Sequence, residues 1–381
     1  MYLTVFSDDW GRHPSSCQHL VRQLLDRHCV RWVNTIGTRR PSFDFYSLKR
    51  SLEKINAWLV PRRDDDQGVN ANPAVLAPFM LPSFGSRLSR HINASLLTRS
   101  LSEKRENADE SVAVTTLPVT ADIVGRLPVS RWVYYCVDDL SEWPGLDKTV
   151  LERMERELLD KVDAVITVSE NLKERVRKLG RDSSLLTHGV DTQLWRQLPE
   201  QPSKMLAQFQ APYIIFWGVV DQRLDLDCIE RLSQSLKTGS LIFAGPDNNP
   251  DPRLRELNNV HLIGPVDYEE LPRLATAASV LMMPYRDAPV TRAMQPLKLM
   301  EYLSTGKPVV CRDLPAVEMW REACHVYRTA DEFVSNVQAG LCGAVPPTQT
   351  NCRQKLVHQG WANKALEFER VLLGHATPVS I

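Results

Sequence analysis

The sequence contains no uninterrupted apolar stretch near the ~18 residues that a membrane-spanning helix needs. Its 8 cysteines include no Cys-x-x-Cys pair and no zinc-like spacing, so metal-ribbon and dithiol redox frameworks are excluded. No Gly-x-Gly-x-x-Gly follows any apolar run, and "FAGPDNNP" does not supply one, which argues against a dinucleotide-dependent dehydrogenase. Charge of neither sign is in excess: Lys+Arg and Asp+Glu stand at 46 each, and no global field selects nucleic acid or an acidic partner. The opening "MYLTVFSDDW" lacks the basic and long apolar regions of a secretory signal. Several cysteines fall inside apolar strand-like runs, where a buried free thiol is expected, and a cytoplasmic location fits these absences together.

What is present is ordinary globular material, 43% hydrophobic and 24% charged, in a chain of 381 residues, long enough for two domains. Short apolar runs alternate with amphipathic stretches, the signature of βα units and parallel sheet. The first half offers "YLTVFS" (2–7), "VRWVNT" (30–35), "SVAVTT" (111–116), "RWVYYCV" (131–137), "AVITVS" (164–169) and "SLLTHG" (184–189) as strands, with helices such as 16–27 and 148–160 between them. The second half restarts with "YIIFWGVV" (213–220), "SLIFAG" (240–245), "VHLIGP" (260–265), "SVLMMPY" (279–285), "KPVVCR" (307–312) and "CHVYRT" (324–329). "LPEQPSKMLAQFQAP" (198–212), rich in proline and poor in periodic apolars, reads as a linker. The expected domains are 1–200 and 201–357. A last helix at about 358–376 carries Trp361, Ala365, Phe368 and Leu372 on one face, and either belongs to the second domain or braces the first.

Residues 61–110 fit the alternation least. The "DDD" at 64–66 lies in a polar loop and reads as solvated charge. Residues 86–105 space Arg87, Arg90, Arg99, Lys104 and Arg105 among apolars at roughly helical intervals. Such a helix either covers a sheet with a solvated basic face or makes peripheral contact with the inner membrane surface.

One stretch concentrates chemistry: "PLKLMEYLSTGKPVV" (296–310). Pro296 suits a first helical turn, Gly306 suits the left-handed residue that ends a helix, and Pro308 prevents continuation. Lys298 and Glu301 are i and i+3, on one face beside a strand end. A lysine at a helix mouth matches phosphate, and a glutamate one turn deeper matches the paired hydroxyls of a ribose. A surface i,i+3 salt bridge, worth a few tenths of a kcal/mol, is the plain alternative.

These residues resemble the donor-binding helix of GT-B glycosyltransferases in the large retaining superfamily that uses nucleotide-sugar donors. The branch with a Pro-x-Lys-x-x-Glu-Tyr pattern, which includes teichuronic-acid and other cell-surface polysaccharide enzymes, is the most similar. "DAVITVSENLKERVRKLG" and "LLTHGVDTQLW" resemble the end of its N-terminal domain. "FWGVVDQRLDLDCIERL" resembles its glycine loop and "NNVHLIGPVDYEELPRLATAASVLMMPY" the approach to the donor helix. "DDWGRHPSSCQHLVRQLL" is similar to the branch's first loop and helix, so the resemblance spans roughly residues 1–370. It implies an α/β protein of the GT-B fold: two doubly wound Rossmann-like domains facing a central cleft. It implies a metal-independent hexosyltransferase acting on a nucleoside-diphosphate sugar and a glycan or lipid-linked acceptor, with no cofactor beyond the donor substrate. Donor-side residues carried over are Gly218, Arg223, Val266, Lys298 and Glu301, with His188 either touching the donor or shaping the hinge. Two departures stand out. A single displaced Arg223 replaces the family's frequent cation pair, and Ala293 stands where many relatives place a sugar-binding glutamate.

The acceptor half offers two strand-end loops. "FSDDWGRHPSS" holds Asp8, Asp9, Arg12 and His13 ahead of Ser15 and Ser16, which are plausible helix caps. "YYCVDDLSEWPG" places Asp138 and Asp139 past a strand, as a base for the acceptor hydroxyl or as turn and capping residues. The same plan accommodates a nucleotide-sugar epimerase or hydrolase, and also a non-catalytic glycan-binding scaffold.

Overall fold

The computed structural model describes residues 1–11, 15–35, 72–81, 83–101, 111–143 and 145–375. The chain divides into two compact units, Met1–Thr187 with Lys364–Ile381, and His188–Asn363. Residues 188–200, expected with the first half, pack into the second core through the buried Val190 and Trp195.

In the first unit the apolar runs become β1 (Tyr2–Ser7), β2 (Cys29–Asn34), β3 (Ala74–Leu76), β4 (Ser111–Thr115), β5 (Arg131–Cys136), β6 (Ala164–Thr167) and β7 (Ser184–Leu185). They pair in parallel in the order β3-β2-β1-β4-β5-β6-β7. Strands covered on both faces need unbroken apolar runs, and β5 buries Trp132, Val133, Tyr134, Tyr135 and Cys136 in succession. The three-residue β3 was not foreseen, because "AVL" is too short to show a period. The helix Trp361–Leu372 turns Phe368 against Tyr135 at 5.4 Å, and its Glu369 accepts from Arg27 at 2.6 Å and pairs with His28 at 2.5 Å.

The helix Arg87–Leu101 buries one face within the first unit. Its inward face carries Ala94, Leu97 and Leu101, and also Arg90, whose guanidinium holds Asp122 through two 2.7 Å bonds and pairs with Glu157. One of the arginines that suggested a basic membrane face is therefore buried and neutralised, while Arg87 and Arg99 stay exposed. Lys104 and Arg105, like the acidic 64–66, lie outside the described residues.

The second unit builds β8 (Tyr213–Trp217), β10 (Ser240–Ala244), β12 (Val260–Gly264), β13 (Ala278–Met283), β14 (Val309–Arg312) and β15 (His325–Tyr327). Their order is β12-β10-β8-β13-β14-β15, again parallel, with a small side pair of β9 (Val220–Asp221) and β11 (Asp247–Asn248). The chain winds in opposite directions on the two sides of β8, so the crevice past the carboxyl ends of β8 and β13 is the switch point where such sheets bind ligands. In the first sheet the equivalent point lies past β1 and β4.

Candidate functional site

β8 delivers Phe216 and Trp217 and then Gly218, whose φ of 129° is open to glycine and strained for other residues. A β-carbon built there would lie 2.1 Å from the Lys298 ammonium nitrogen. The lysine therefore occupies the space that a side chain would need. Behind it, a β-carbon on Gly245 (φ 152°) would come 2.0 Å from the Gly218 carbonyl oxygen. Gly218 N–H donates to Ala244 O at 2.8 Å, and Gly245 N–H to Gly264 O at 2.7 Å. The ends of β8, β10 and β12 thus form a ledge of bare backbone next to one cation.

The helix carrying that cation runs Lys298–Ser304, starting after Pro296 rather than on it, and Gly306 closes it at φ 75° as its position suggested. Lys298 and Glu301 do not pair with each other. Lys298 Nζ donates to Tyr285 Oη at 2.8 Å and lies 4.2 Å from the centre of the Phe216 ring. Glu301 Oε2 accepts from Trp217 Nε1 at 2.9 Å. The i,i+3 spacing is therefore no surface salt bridge.

Burial raises the pKa of Glu301, against the lowering effects of the Trp217 hydrogen bond, the Lys298 charge and the Tyr268 hydroxyl. A carboxyl whose folded pKa is raised favours the fold while protonated, and that stability is lost as pH rises through the folded value. Ionising Glu301 therefore works against the stability of the second unit.

Other expected donor residues fall at varying distance from this pair. Val266 packs half-buried on the second core, two residues before Tyr268. Arg223 is buried, and its guanidinium is chelated by Asp221 at 2.8–3.0 Å, with Tyr285 on its other side at 5.9 Å. Its charge is already met, so it reaches the site through Tyr285, which also holds Lys298. His188 is buried beside Gly189, whose β-carbon would strike the Trp361 ring at 2.7 Å; this is a packed turn at the edge of the unit.

Among the acceptor-side expectations, His13 lies outside the described residues, as does Arg12. Asp139 caps the turn Leu140–Glu142 by accepting from Ser141 N–H at 3.2 Å and Ser141 Oγ at 2.5 Å. It also pairs with Arg175 at 2.8 Å, which in turn holds Glu155 at 2.6 Å. These bonds favour the capping reading for Asp139. Replacing it with Ala should cost about 2 kcal/mol in chemical denaturation, the sum of a lost cap and a lost charged bond. Turnover should stay within about threefold, since a structural carboxylate carries no part of the large factors of acid–base catalysis. A collapse of turnover at unchanged stability would restore a catalytic role. Asp138, half-buried, accepts at its carbonyl from Cys136 Sγ at 3.8 Å.

The carboxylate at the first sheet's switch point is Asp8, directly after β1. It accepts from Ser7 Oγ at 2.9 Å and Ser15 Oγ at 3.5 Å, and burial raises its pKa. Ser15 does cap the following helix, accepting from Gln18 N–H.

Trp217, Tyr268, Tyr285, Trp195 and Gly245 were missed. The one available signal was an aromatic residue set directly before the Gly218 turn in "FWGVV", which reads equally as the last residue of a buried strand.

Residues 211–341 match the family described as Glycosyl transferases group 1. Over 202 residues the chain is 27% identical to TuaH, a putative teichuronic acid biosynthesis glycosyltransferase of Bacillus subtilis (strain 168). That alignment covers 50% of this chain and 51% of the relative, so the chain spans about half the length of the curated protein it matches. Among solved structures, sucrose-phosphate synthase from Thermosynechococcus elongatus superposes with a TM-score of 0.69 at 15% identity, covering 98% of both chains. Anabaena Alr3699/HepE, in complex with UDP and glucose, gives 0.68 at 15% identity, covering 97% of this chain and 99% of that one. The fold is GT-B.

Proposed function

We propose that this chain, whose second unit carries a Glycosyl transferases group 1 domain, moves a sugar from a nucleoside-diphosphate sugar to a hydroxyl acceptor. The observation that carries the reading is the separation of Lys298 from Glu301. The ammonium lies over the bare Gly218 backbone, and the carboxylate is held apart by Trp217. A diphosphate accepts from the first and ribose hydroxyls donate to the second. Lys298 then stabilises the negative charge that develops on the leaving diphosphate, which gives this charge a partner without calling on a metal ion. The UDP bound to the Anabaena protein and the teichuronic acid role of the Bacillus relative support a UDP-hexose donor and a glycan or lipid-linked acceptor of the cell envelope. Acceptance of the acceptor's proton falls to Asp8 on this reading, because it stands directly past β1 and burial raises its affinity for a proton above that of an ordinary aspartate.

The test is calorimetry with UDP, GDP and ADP, followed by transfer assays with the sugar of the nucleotide that binds. Wild type should bind one nucleoside diphosphate. Asp8→Asn should keep that binding and lose most of the transfer. Failure of the wild type to bind any of the three would refute the reading, and free monosaccharide or an epimerised donor in place of a glycoside would replace it with hydrolysis or epimerisation.

A further inference from the structure

Glu301 is held from the strand side by a residue whose part in ligand binding is not accounted for. We propose that Trp217 is a positioning residue for nucleotide recognition: its indole N–H fixes one carboxylate oxygen of Glu301 and so orients the carboxylate to accept the ribose hydroxyls. The proposal rests on the donor reading given above.

The ring has little freedom. Trp217 is 3% exposed, its backbone N–H donates to Tyr302 Oη at 2.9 Å, and its ring meets the Tyr302 ring edge-on at 4.3 Å. Trp195 stacks on it at 5.3 Å with the planes 9° apart. Held in this way, Nε1 reaches Glu301 Oε2 at 2.9 Å. Indole carries one hydrogen and no acceptor, so it engages a single oxygen and cannot compete with the carboxylate for a ligand hydroxyl. A serine or amide at the same place would accept as well as donate, and would bind the ribose itself. Trp195 directs its own N–H elsewhere, to Tyr268 Oη at 3.3 Å, which turns the Tyr268 proton towards other acceptors.

The groups facing Glu301 come from three elements. Lys298 and Tyr302 lie on its own helix, Tyr268 comes from the turn Tyr268–Glu270, and Trp217 from β8. Asp191, which caps Thr192–Arg196, acts on Tyr268 rather than on Glu301. Lys298, Trp217 and Tyr268 favour the carboxylate, and burial opposes it. Loss of the Trp217 N–H therefore raises the pH at which Glu301 takes up a proton, and a protonated Glu301 has lost acceptor capacity.

Trp217→Phe keeps the stacked ring and removes the donor. UDP titrated calorimetrically into the full chain from about pH 5 to about pH 8 should bind Trp217→Phe roughly tenfold more weakly near neutrality, the order of a hydrogen bond to a charged group. The fall in affinity on acidification should begin at higher pH than in wild type, and Glu301→Gln should show no such fall. In the ligand-free wild type the Trp217 indole resonance should move with pH, and in Glu301→Gln it should stand still. An unshifted midpoint in Trp217→Phe with normal wild-type binding overturns the proposal alone, as does an indole resonance indifferent to pH. A wild type that binds no UDP, GDP or ADP refutes the donor reading, and this proposal with it.

Discussion

Gly245→Ala should lower the stability of the second unit by about 3–5 kcal/mol, a loss that single substitutions reach only through a few mechanisms. Two of them coincide here. Gly245 has φ 152°, and its β-carbon would sit 2.0 Å from the Gly218 carbonyl oxygen and 2.6 Å from the carbonyl carbon. Those atoms are backbone, and Gly218 N–H is itself bonded to Ala244 O at 2.8 Å, so neither strand end can retreat without breaking a ladder. Gly306 is the internal control. It also has a positive φ, 75°, but its β-carbon would meet nothing within 4 Å. Gly306→Ala should cost only the left-handed backbone term, about 1–2 kcal/mol. Urea denaturation of the two variants separates crowding from strain. Equal losses would show that the close approach of Gly218 and Gly245 does not matter.

Lys298→Ala should weaken UDP binding by roughly a hundredfold, about 2.7 kcal/mol, while weakening uridine, which feels the lysine only through the Glu301 carboxylate, far less. The contrast follows from what each half of the ligand needs. A diphosphate loses charge-assisted bonds when the ammonium goes, whereas a nucleoside never made them. Glu301→Ala should weaken both ligands, since both carry the ribose. Lys298→Arg should rescue little. The ammonium fits between the Gly218 backbone, the Phe216 ring at 4.2 Å and Tyr285 Oη at 2.8 Å, and a planar guanidinium is wider than that space. Calorimetry in low salt resolves these differences. Equal weakening of uridine and UDP by Lys298→Ala would remove the lysine from the phosphate and overturn the assignment.

The second sheet was legible because its strands are covered on both faces, and "YIIF", "SLIF" and "VLMM" must then be apolar throughout. The helix at 298–304 was legible because proline, glycine and the charge spacing mark it locally. The environment of its charges was not legible. Glu301 meets Trp217 across 84 residues of sequence, and Lys298 meets Tyr285 across 13, so each partner looks like an ordinary strand-end aromatic until the sheet is assembled. Arg223 shows the opposite limit. Its counter-ion Asp221 is only two residues away, yet Arg223 is expected from the resemblance as a donor-side cation, and only the burial of both side chains against each other shows that its charge is already met. Asp139 was visible as a strand-end carboxylate, and its capture by Arg175 depends on a helix 36 residues later that no local pattern connects to it.

The first unit is assembled from two separated lengths of chain, and this orders events during synthesis. All of His188–Asn363 leaves the ribosome before Lys364–Gly374 does. Until that last segment arrives, Tyr135 lacks the Phe368 ring, and Arg27 and His28 lack Glu369. The second unit, whose strands and glycine ledge are contiguous in sequence, can therefore close first. The half of the chain that is translated earlier is the half whose last piece arrives later.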